Sequence, residues 1–169
     1  MSTTPTLTQT QMSFRQAMAH LPAAVCIITT DGPEGRCGIT ASAVCSVTDS
    51  PPTVLVCVNK TSFAHDVFRK NEALCVNVLC SSQEELAKHF AGFTKVPMEE
   101  RFAWDIWESG ELEQPALREA LVAMQGRIAD SKEVGSHTVF FVEVTDIQIR
   151  EQDSLVYFAR NFHPVPLAA

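Results

Sequence analysis

The sequence predicts a mainly β protein that forms a closed or split antiparallel barrel with a few short helices. Six or seven strand-like runs are joined mostly by short turns. The regular alternation of strands and helices that builds a doubly wound sheet is missing. The length of 169 residues suits one domain with a substantial core. A barrel satisfies such strands because closure leaves few unpaired edges.

The chain is expected to begin with a flexible tail over residues 1–11, followed by a single domain over 12–169. The tail is rich in Thr and Gln and has no apolar period. A helix follows at about 13–21, with Ser13 as the N-cap and Pro22 as the stop. Its apolar residues recur at helical spacing, namely Phe14, Ala17, Met18 and Leu21.

The rest of the chain is predicted as strands and short helices. Segment 117–130 begins like a helix, but much of it is expected to be strand because its neighbours are strands. Short helices are expected after Ser62, through Phe90 with a capping box of Ser82 and Glu85, and within 98–107. The β-branched and apolar runs that predict the other strands lie at 24–30, 36–48, 53–59, 73–79, 137–149 and 154–160.

Composition excludes several classes of function. The net charge of −7, without any Lys/Arg cluster, argues against nucleic-acid binding. The sequence has no secretory signal and no apolar run close to the roughly 20 residues needed to cross a bilayer. A cytoplasmic protein without membrane contact is therefore expected. The six cysteines include no C-x-x-C pair and are interpreted as reduced, mostly buried thiols rather than disulfides or metal ligands.

The usual catalytic motifs do not occur in this chain. It lacks G-x-G-x-x-G, the Walker A loop, H-E-x-x-H and G-x-S-x-G. The five histidines are scattered without ligand spacing, so no metal site is predicted. Chemistry that needs a metal or an activated serine therefore loses its usual support.

The stretch GITASAVCSVTDSPP at 38–52 is rich in short hydroxyls and carries a single charge. Because side chains alternate along a strand, one face is small and apolar and the other mostly hydroxyl. Val44 interrupts the hydroxyl face, which indicates a bulge or twist there. Two readings stay open: a surface for a flat polar heterocycle, or a sheet face packed against a helix with its hydroxyls bonded locally.

Four motifs resemble those of the short-chain flavin reductases, which share the split-barrel, Greek-key-like FMN-binding fold. They are CGITASAVCSVTDSPPTVLVCVN at 37–59, LCVNVL at 74–79, HFAGFT at 89–94 and GSHTVFFVEV at 135–144. MEERF at 98–102 and FHPV at 162–165 make the chain similar to the reductase components of two-component 4-hydroxyphenylacetate 3-monooxygenases. The resemblance covers about residues 14–165.

This resemblance implies a homodimer that transfers a hydride from NADH, or NADPH, to FAD or FMN and passes the reduced flavin to a separate oxygenase. Ser62 is predicted to begin a helix, so an anion site at Ser62 and Lys60 is also physically reasonable. The alternative for Lys60 is a solvated loop residue without a ligand. The alternative for Phe90 is a residue that only packs in the core. The residues matched to flavin binding are Gly38, Thr40, Ala41, Ser42, Ala43, Ser46, Val47, Asn59, Lys60, Ser62, Phe90, Ala91, Gly92 and Arg160.

His137 is the residue that the resemblance assigns to nicotinamide positioning. The chain has Ser136 where the family motif has Asp, so the carboxylate of that motif is missing. Without the resemblance, a lone His at a strand start is usually structural. His163, near the C-terminal aromatics, is a weaker candidate for a phosphate contact.

Two other functions fit the predicted fold. One is a non-catalytic flavin or haem binder that acts as a carrier or sensor. The other is a relative of pyridoxine-phosphate oxidases, which the lack of a basic phosphate-binding cluster disfavours.

Overall fold

The computed structural model describes residues 6–168 and shows a mainly β fold in which paired strands are antiparallel. The predicted fold class is therefore confirmed. The strands are β1 Ala23–Ala24, β2 Cys26–Thr30, β3 Cys37–Ala41, β4 Val44–Asp49, β5 Pro52–Asn59, β6 Ala73–Val78, β7 Trp107–Ser109, β8 Pro115–Leu117, β9 Val122–Val134, β10 His137–Ile149, β11 Ser154–Phe158 and β12 Asn161–Val165. The α-helices are α1 Gln9–Ala19, α2 Phe63–Asn71, α3 Glu84–Phe90 and α4 Met98–Ala103.

The main sheet has seven strands in the order β3-β2-β6-β9-β10-β5-β4. Its two edge strands, β3 and β4, follow one another in the chain and are separated only by Ser42 and Ala43. The end of β3 at Ala41 and the start of β4 at Val44 are three residue steps apart, at most about 11 Å, so the edges of this sheet must approach each other there. The sheet therefore curls into a barrel whose split lies at Ser42 and Ala43.

The barrel packs two apolar clusters on its opposite faces, and β2 contributes to both. Cys26 and Ile28 join the cluster that also contains Phe68 and Phe140. Val25 and Ile27 join a second cluster with residues of α3, α4 and β11. Burial on both faces explains why all five residues of β2 are buried, instead of buried and exposed residues alternating along the strand.

The break at Ser42 and Ala43 explains why a valine, Val44, stands where the sequence pattern predicts a hydroxyl side chain. In β3, Ile39 and Ala41 pack against the first cluster. Strand pairing resumes at Val44, which is paired with Val56 and also packs on that cluster. The two residues between the strands shift the alternation by one position, so the predicted single strand over 36–48 is wrong and is replaced by β3 and β4.

Three other local predictions are also corrected. Helix α1 begins at Gln9, with Thr8 as its N-cap and Gln11 completing a capping box, so Ser13 is not the cap and residues 9–11 are helical. Residues 81–83 form a 3₁₀ turn after Cys80, where the Gln83 side chain accepts from the Cys80 N–H; this replaces the box of Ser82 and Glu85. Strands β7, β8 and β12 were not expected.

The predicted tail lies partly outside the described structure, which leaves out residues 1–5 and 169. The division into a tail and one domain stays a prediction. Segment 117–130 is mostly strand, as expected, because it holds the start of β9. Within residues 6–168 the structure has no helix long and apolar enough to cross a membrane.

Candidate functional site

A cleft of about 700 Å³ opens at the break between β3 and β4 and is called the β3–β4 cleft below. Its floor comes from the end of β3 and the end of β5, and its walls come from the start of α2 and from the segment between α3 and α4. Nine of the residues predicted to bind flavin lie in its lining, namely Thr40, Ala41, Ser42, Ala43, Asn59, Ser62, Phe90, Ala91 and Gly92.

The β3 part of the floor is held in place by α3. The Thr40 hydroxyl donates to the Ala87 carbonyl at 2.6 Å, so this hydroxyl serves packing against a helix. Gly38 is buried under Phe90, and a Cβ at Gly38 would lie 2.7 Å from the Phe90 ring. Both contacts agree with the second interpretation of this stretch, a sheet face packed against a helix. Ser42 and Ala43, which follow β3, are exposed.

The wall at α2 is a capped turn. The Asn59 side chain accepts from the Thr61 N–H at 2.9 Å, and Ser62 caps α2 by accepting from the Ala64 N–H at 3.3 Å. The Lys60 ammonium is 3.2 Å from the Glu133 carboxylate, outside the cleft lining. Because that ion pair already occupies Lys60, this side chain offers less charge to a ligand than its sequence position suggests.

The opposite wall carries Arg101, which the sequence analysis missed. Its side chain lines the β3–β4 cleft, and the residue is only 9 % exposed. Its Nε donates to the Val96 carbonyl at 2.9 Å, and the guanidinium lies over the Phe90 ring at 5.4 Å from the centroid. MEERF at 98–102 contains this arginine, but spacing alone does not separate it from a solvated helix residue.

An aromatic cluster supports this wall from behind. Phe90 packs edge-on to Phe102 and Trp107, with ring centroids 5.7 and 5.8 Å away. The Trp107 indole donates to the Arg101 carbonyl at 2.8 Å. These contacts tie α3, α4 and β7 together, so Phe90 serves the core and the cleft at once.

Comparison with known proteins places the chain in a family. Residues 18–166 match the family model of the flavin reductase like domain. This chain belongs to the flavin reductase family. The recognition made from the sequence is thereby confirmed.

Two curated relatives cover almost the whole reductase. The 4-hydroxyphenylacetate 3-monooxygenase reductase component of Pseudomonas aeruginosa is 58% identical over 90% of this chain and 91% of its own length. The FMN reductase (NADH) RutF of Pseudomonas syringae pv. syringae is 47% identical over 96% of this chain and 90% of its own length. They confirm the predicted class of enzyme, an NADH-dependent flavin reductase.

Solved structures agree with the fold. A crystal structure described as a flavin reductase from Haemophilus somnus superposes with a TM-score of 0.86 at 42% identity, covering 91% of this chain and 98% of that one. The NADH:FAD oxidoreductase of Streptomyces globisporus, solved with NAD and FAD fragments, gives 0.83 at 28% identity over 94% and 96% of the two chains. Flavin and NADH as cofactors agree with these relatives, as predicted.

Six predicted site residues of this flavin reductase lie outside the cleft lining: Gly38 and Lys60, described above, and four others. Ser46 and Val47 are exposed on β4, and Arg160 is exposed in the turn between β11 and β12. His137 begins β10 and pairs with Asn59 in the β5–β10 ladder. Their roles stay predictions, as does that of His163, which is exposed on β12.

His137 lies in a separate groove of about 630 Å³ under helix α1, called the α1 groove below. Phe14 and Met18 of α1 line it together with Ser136. The Ser136 hydroxyl is 2.9 Å from His137 Nδ1, so this serine occupies the orienting position next to the imidazole. No residue of α1 is buried within the described chain.

A smaller hollow of about 210 Å³ adjoins the β3–β4 cleft on the far side of Ser42. The two spaces share Thr40, Ala41, Ser42 and Ala91, and the smaller one adds the aromatic side chains of Phe93, Tyr157 and Phe162.

The cysteines agree with the predicted burial. Four are buried, Cys45 is exposed and Cys57 is partly buried in the cleft lining. Burial raises the pKa of the Cys57 thiol, with a further contribution from Cys45. Burial also raises the pKa of Cys26 to about 12. These side chains therefore remain neutral thiols at physiological pH.

Proposed function

We propose that this flavin reductase takes a hydride from NADH, transfers it to FMN or FAD held in the β3–β4 cleft, and releases the reduced flavin to a separate oxygenase. The observation that carries the proposal is the cleft itself, whose lining is small, largely uncharged and centred on the split of the barrel. A volume of about 700 Å³ falls in the range of ligand pockets, roughly 300–1,000 Å³.

The residues present fit a flavin nucleotide. Ala41, Ser42 and Ala43 have short side chains, so a flat ring can approach the backbone closely at the break. Arg101 supplies a cation for an anionic group of the ligand. Bound together, the two cofactors supply the redox chemistry, a hydride transfer from nicotinamide to flavin. The chain's own part is to hold both rings at near-attack distance, roughly 3–3.5 Å, and to limit the water around them.

The lining also fits a ligand that is exchanged in every turnover. Arg101 is its one charged side chain within the described residues, and the remaining contacts are apolar groups, backbone and short hydroxyls. Few charged contacts favour release of the reduced flavin. The partner we propose is an oxygenase of 4-hydroxyphenylacetate or a similar phenol, after the relative at 58% identity.

A homodimer is the assembly we propose, because α1 carries apolar side chains that one chain leaves uncovered. Met12, Phe14 and Met18 of α1 are 43–61% exposed, and Leu21, two residues beyond the helix, is 57% exposed. Exposed apolar groups clustered on one helix are typical of an interface. A second copy that covers α1 would also close the groove that contains His137. The predicted cytoplasmic location stays a prediction.

A carrier or sensor without catalysis is the alternative. Haem is disfavoured because no histidine lines the cleft within residues 6–168, and because burial keeps Cys57 a thiol rather than a thiolate ligand.

The test mixes purified protein, NADH and FMN or FAD and follows the near-ultraviolet absorbance of NADH. A purified 4-hydroxyphenylacetate oxygenase is placed behind a dialysis membrane that flavin crosses and protein does not. We expect NADH oxidation on one side and hydroxylated product on the other. NADH consumption no faster than without protein would refute the enzyme, and product only without the membrane would refute release of free flavin.

A further inference from the structure

We propose that Arg101 binds the phosphate of the flavin nucleotide, so that the phosphate ester is a recognised part of the substrate. This inference rests on the proposed function, because it assigns the same cleft to the flavin. The sequence-based analysis placed the phosphate near Lys60 and Ser62 and gave Arg101 no role.

The first observation is a mostly buried arginine side chain without a counter-ion. Arg101 is 9 % exposed, and none of the ion pairs formed among residues 6–168 includes it. Burying an unpaired charge is costly, and a guanidinium does not lose its proton to avoid that cost. An anionic ligand in the cleft would compensate this charge.

The second observation is the orientation of the guanidinium. Its Nε is held by the Val96 carbonyl, and its Cζ lies over the Phe90 ring. Nε makes the one hydrogen bond of this side chain among residues 6–168, so the two terminal nitrogens have no protein acceptor there. Two parallel N–H groups match two oxygens of a phosphate, which is the geometry that arginine binds best.

The third observation is that the cleft offers no competing cation. Lys60 pairs with Glu133 outside the lining, and no carboxylate of the described chain lines the cleft. The oxidised isoalloxazine ring is neutral, so it would not balance Arg101 when the substrate binds. A phosphate carries its charge in both redox states of the flavin and balances Arg101 throughout turnover.

The experiment measures the Kd values of FMN, FAD and riboflavin without NADH, from the change in flavin fluorescence. The variants are Arg101→Gln and Arg101→Lys. Arg118→Gln is the matched control, since Arg118 is exposed, pairs with Asp105 and lies outside the cleft. For Arg101→Gln we expect Kd values for FMN and FAD to rise by roughly tenfold to a hundredfold, the usual loss for a hydrogen bond to a charged group. Riboflavin, which lacks the phosphate, should change less than about twofold.

Two further results are expected. Arg101→Lys keeps the charge but loses the planar fork, so its Kd for FMN should lie between those of wild type and Arg101→Gln. In wild type, added salt should weaken FMN binding more than riboflavin binding, and Arg101→Gln should abolish that difference.

Equal weakening of FMN binding and riboflavin binding would overturn the proposal, because Arg101 would then contact the ring or stabilise the fold. A thermal unfolding measurement would distinguish these two roles. An unchanged Kd for FMN with a raised KM for NADH, measured with riboflavin as acceptor, would assign Arg101 to the dinucleotide phosphates instead. If wild type binds flavins but oxidises no NADH, the proposed function fails while the comparison of FMN with riboflavin still decides the role of Arg101.

Discussion

The β3–β4 cleft and the α1 groove differ in how completely one chain builds them. In the cleft, the side chains are fixed by contacts within the chain, such as those of Thr40 with Ala87 and Arg101 with Val96. In the groove, α1 contributes exposed apolar side chains and no buried residue. One chain therefore completes the lining of the cleft, whereas in the groove it leaves apolar side chains that a second copy would cover in the proposed dimer.

Under the proposed function, this difference separates flavin binding from the use of NADH. Flavin binding should depend on the cleft and survive the loss of a partner subunit. Use of NADH should also depend on the groove, because His137 lies there next to the Asn59 end of the cleft. The predictions below test that separation, starting with the largest expected effect.

Ser42→Leu should weaken flavin binding most strongly. Ser42 lies at the break between β3 and β4 and borders both the cleft and the smaller hollow, so a leucine there fills space that the ring needs. We expect Kd for FMN to rise by roughly tenfold to a hundredfold, the range for an overpacked site. Ser131→Leu is the matched control, since Ser131 is exposed on β9 outside the lining. Similar affinities in the two variants would remove the ring from the break.

Phe14→Asp combined with Met18→Asp should separate the subunits. Two carboxylates on the exposed apolar face of α1 would be desolvated without partners in an interface. Light scattering should show a monomer, with Kd for FMN close to wild type and a raised KM for NADH. Leu167→Asp, also on an exposed apolar side chain but far from α1 in the chain, is the control. A monomeric wild type would contradict the proposed dimer.

The strands were predictable because their apolar residues face one of two cores. The predicted bounds 137–149 match β10, and β5 and β6 differ by a residue or so at their ends. The break in 36–48 was not predictable in position, since small residues such as Ser42 and Ala43 also occur within strands. Val44 was the visible sign of it, because a valine on the hydroxyl face requires the alternation to shift.

The parts of the cleft that are continuous in sequence were predictable, whereas contacts between residues that are distant in sequence were not. Motif positions identified the floor and the α2 wall, which are continuous stretches. Arg101 was missed because its burial depends on Phe90 and the Val96 carbonyl, which only the folded loop brings together. The ion pair of Lys60 was not predictable for the same reason, since its partner Glu133 is far away in sequence, and the role of Lys60 in flavin binding stays a prediction.

His137→Ala should affect NADH more than flavin. The imidazole lies in the α1 groove, where its Nδ1 is 2.9 Å from the Ser136 hydroxyl. Loss of one hydrogen-bonding group should raise KM for NADH by roughly two- to tenfold and leave Kd for FMN unchanged. His20→Ala, a histidine outside both the cleft and the groove, is the control. Unchanged steady-state kinetics with NADH would remove His137 from the site.

Cys57 tests whether flavin covers the cleft, because it is the cysteine that lines the cleft within the described residues. Its expected effect is the smallest. Burial and the neighbouring Cys45 raise its pKa, so at a given pH less of it is thiolate than in an ordinary thiol. Its alkylation, followed by peptide mass spectrometry, should therefore increase at a higher pH than that of a free cysteine peptide. Bound FMN should slow this reaction severalfold by covering the lining.

The buried thiols provide the internal reference for that measurement. Burial raises the pKa of Cys37 to about 11 and that of Cys26 to about 12, against about 9 when unfolded, so both thiols are protonated in either state below pH 9. Above it the unfolded chain ionises first, and the native state loses stability progressively as the pH rises through the folded-state values. Alkylation of Cys57 that is insensitive to FMN at pH 8, while Cys26 and Cys37 stay unmodified, would place the flavin away from the β5 side of the cleft.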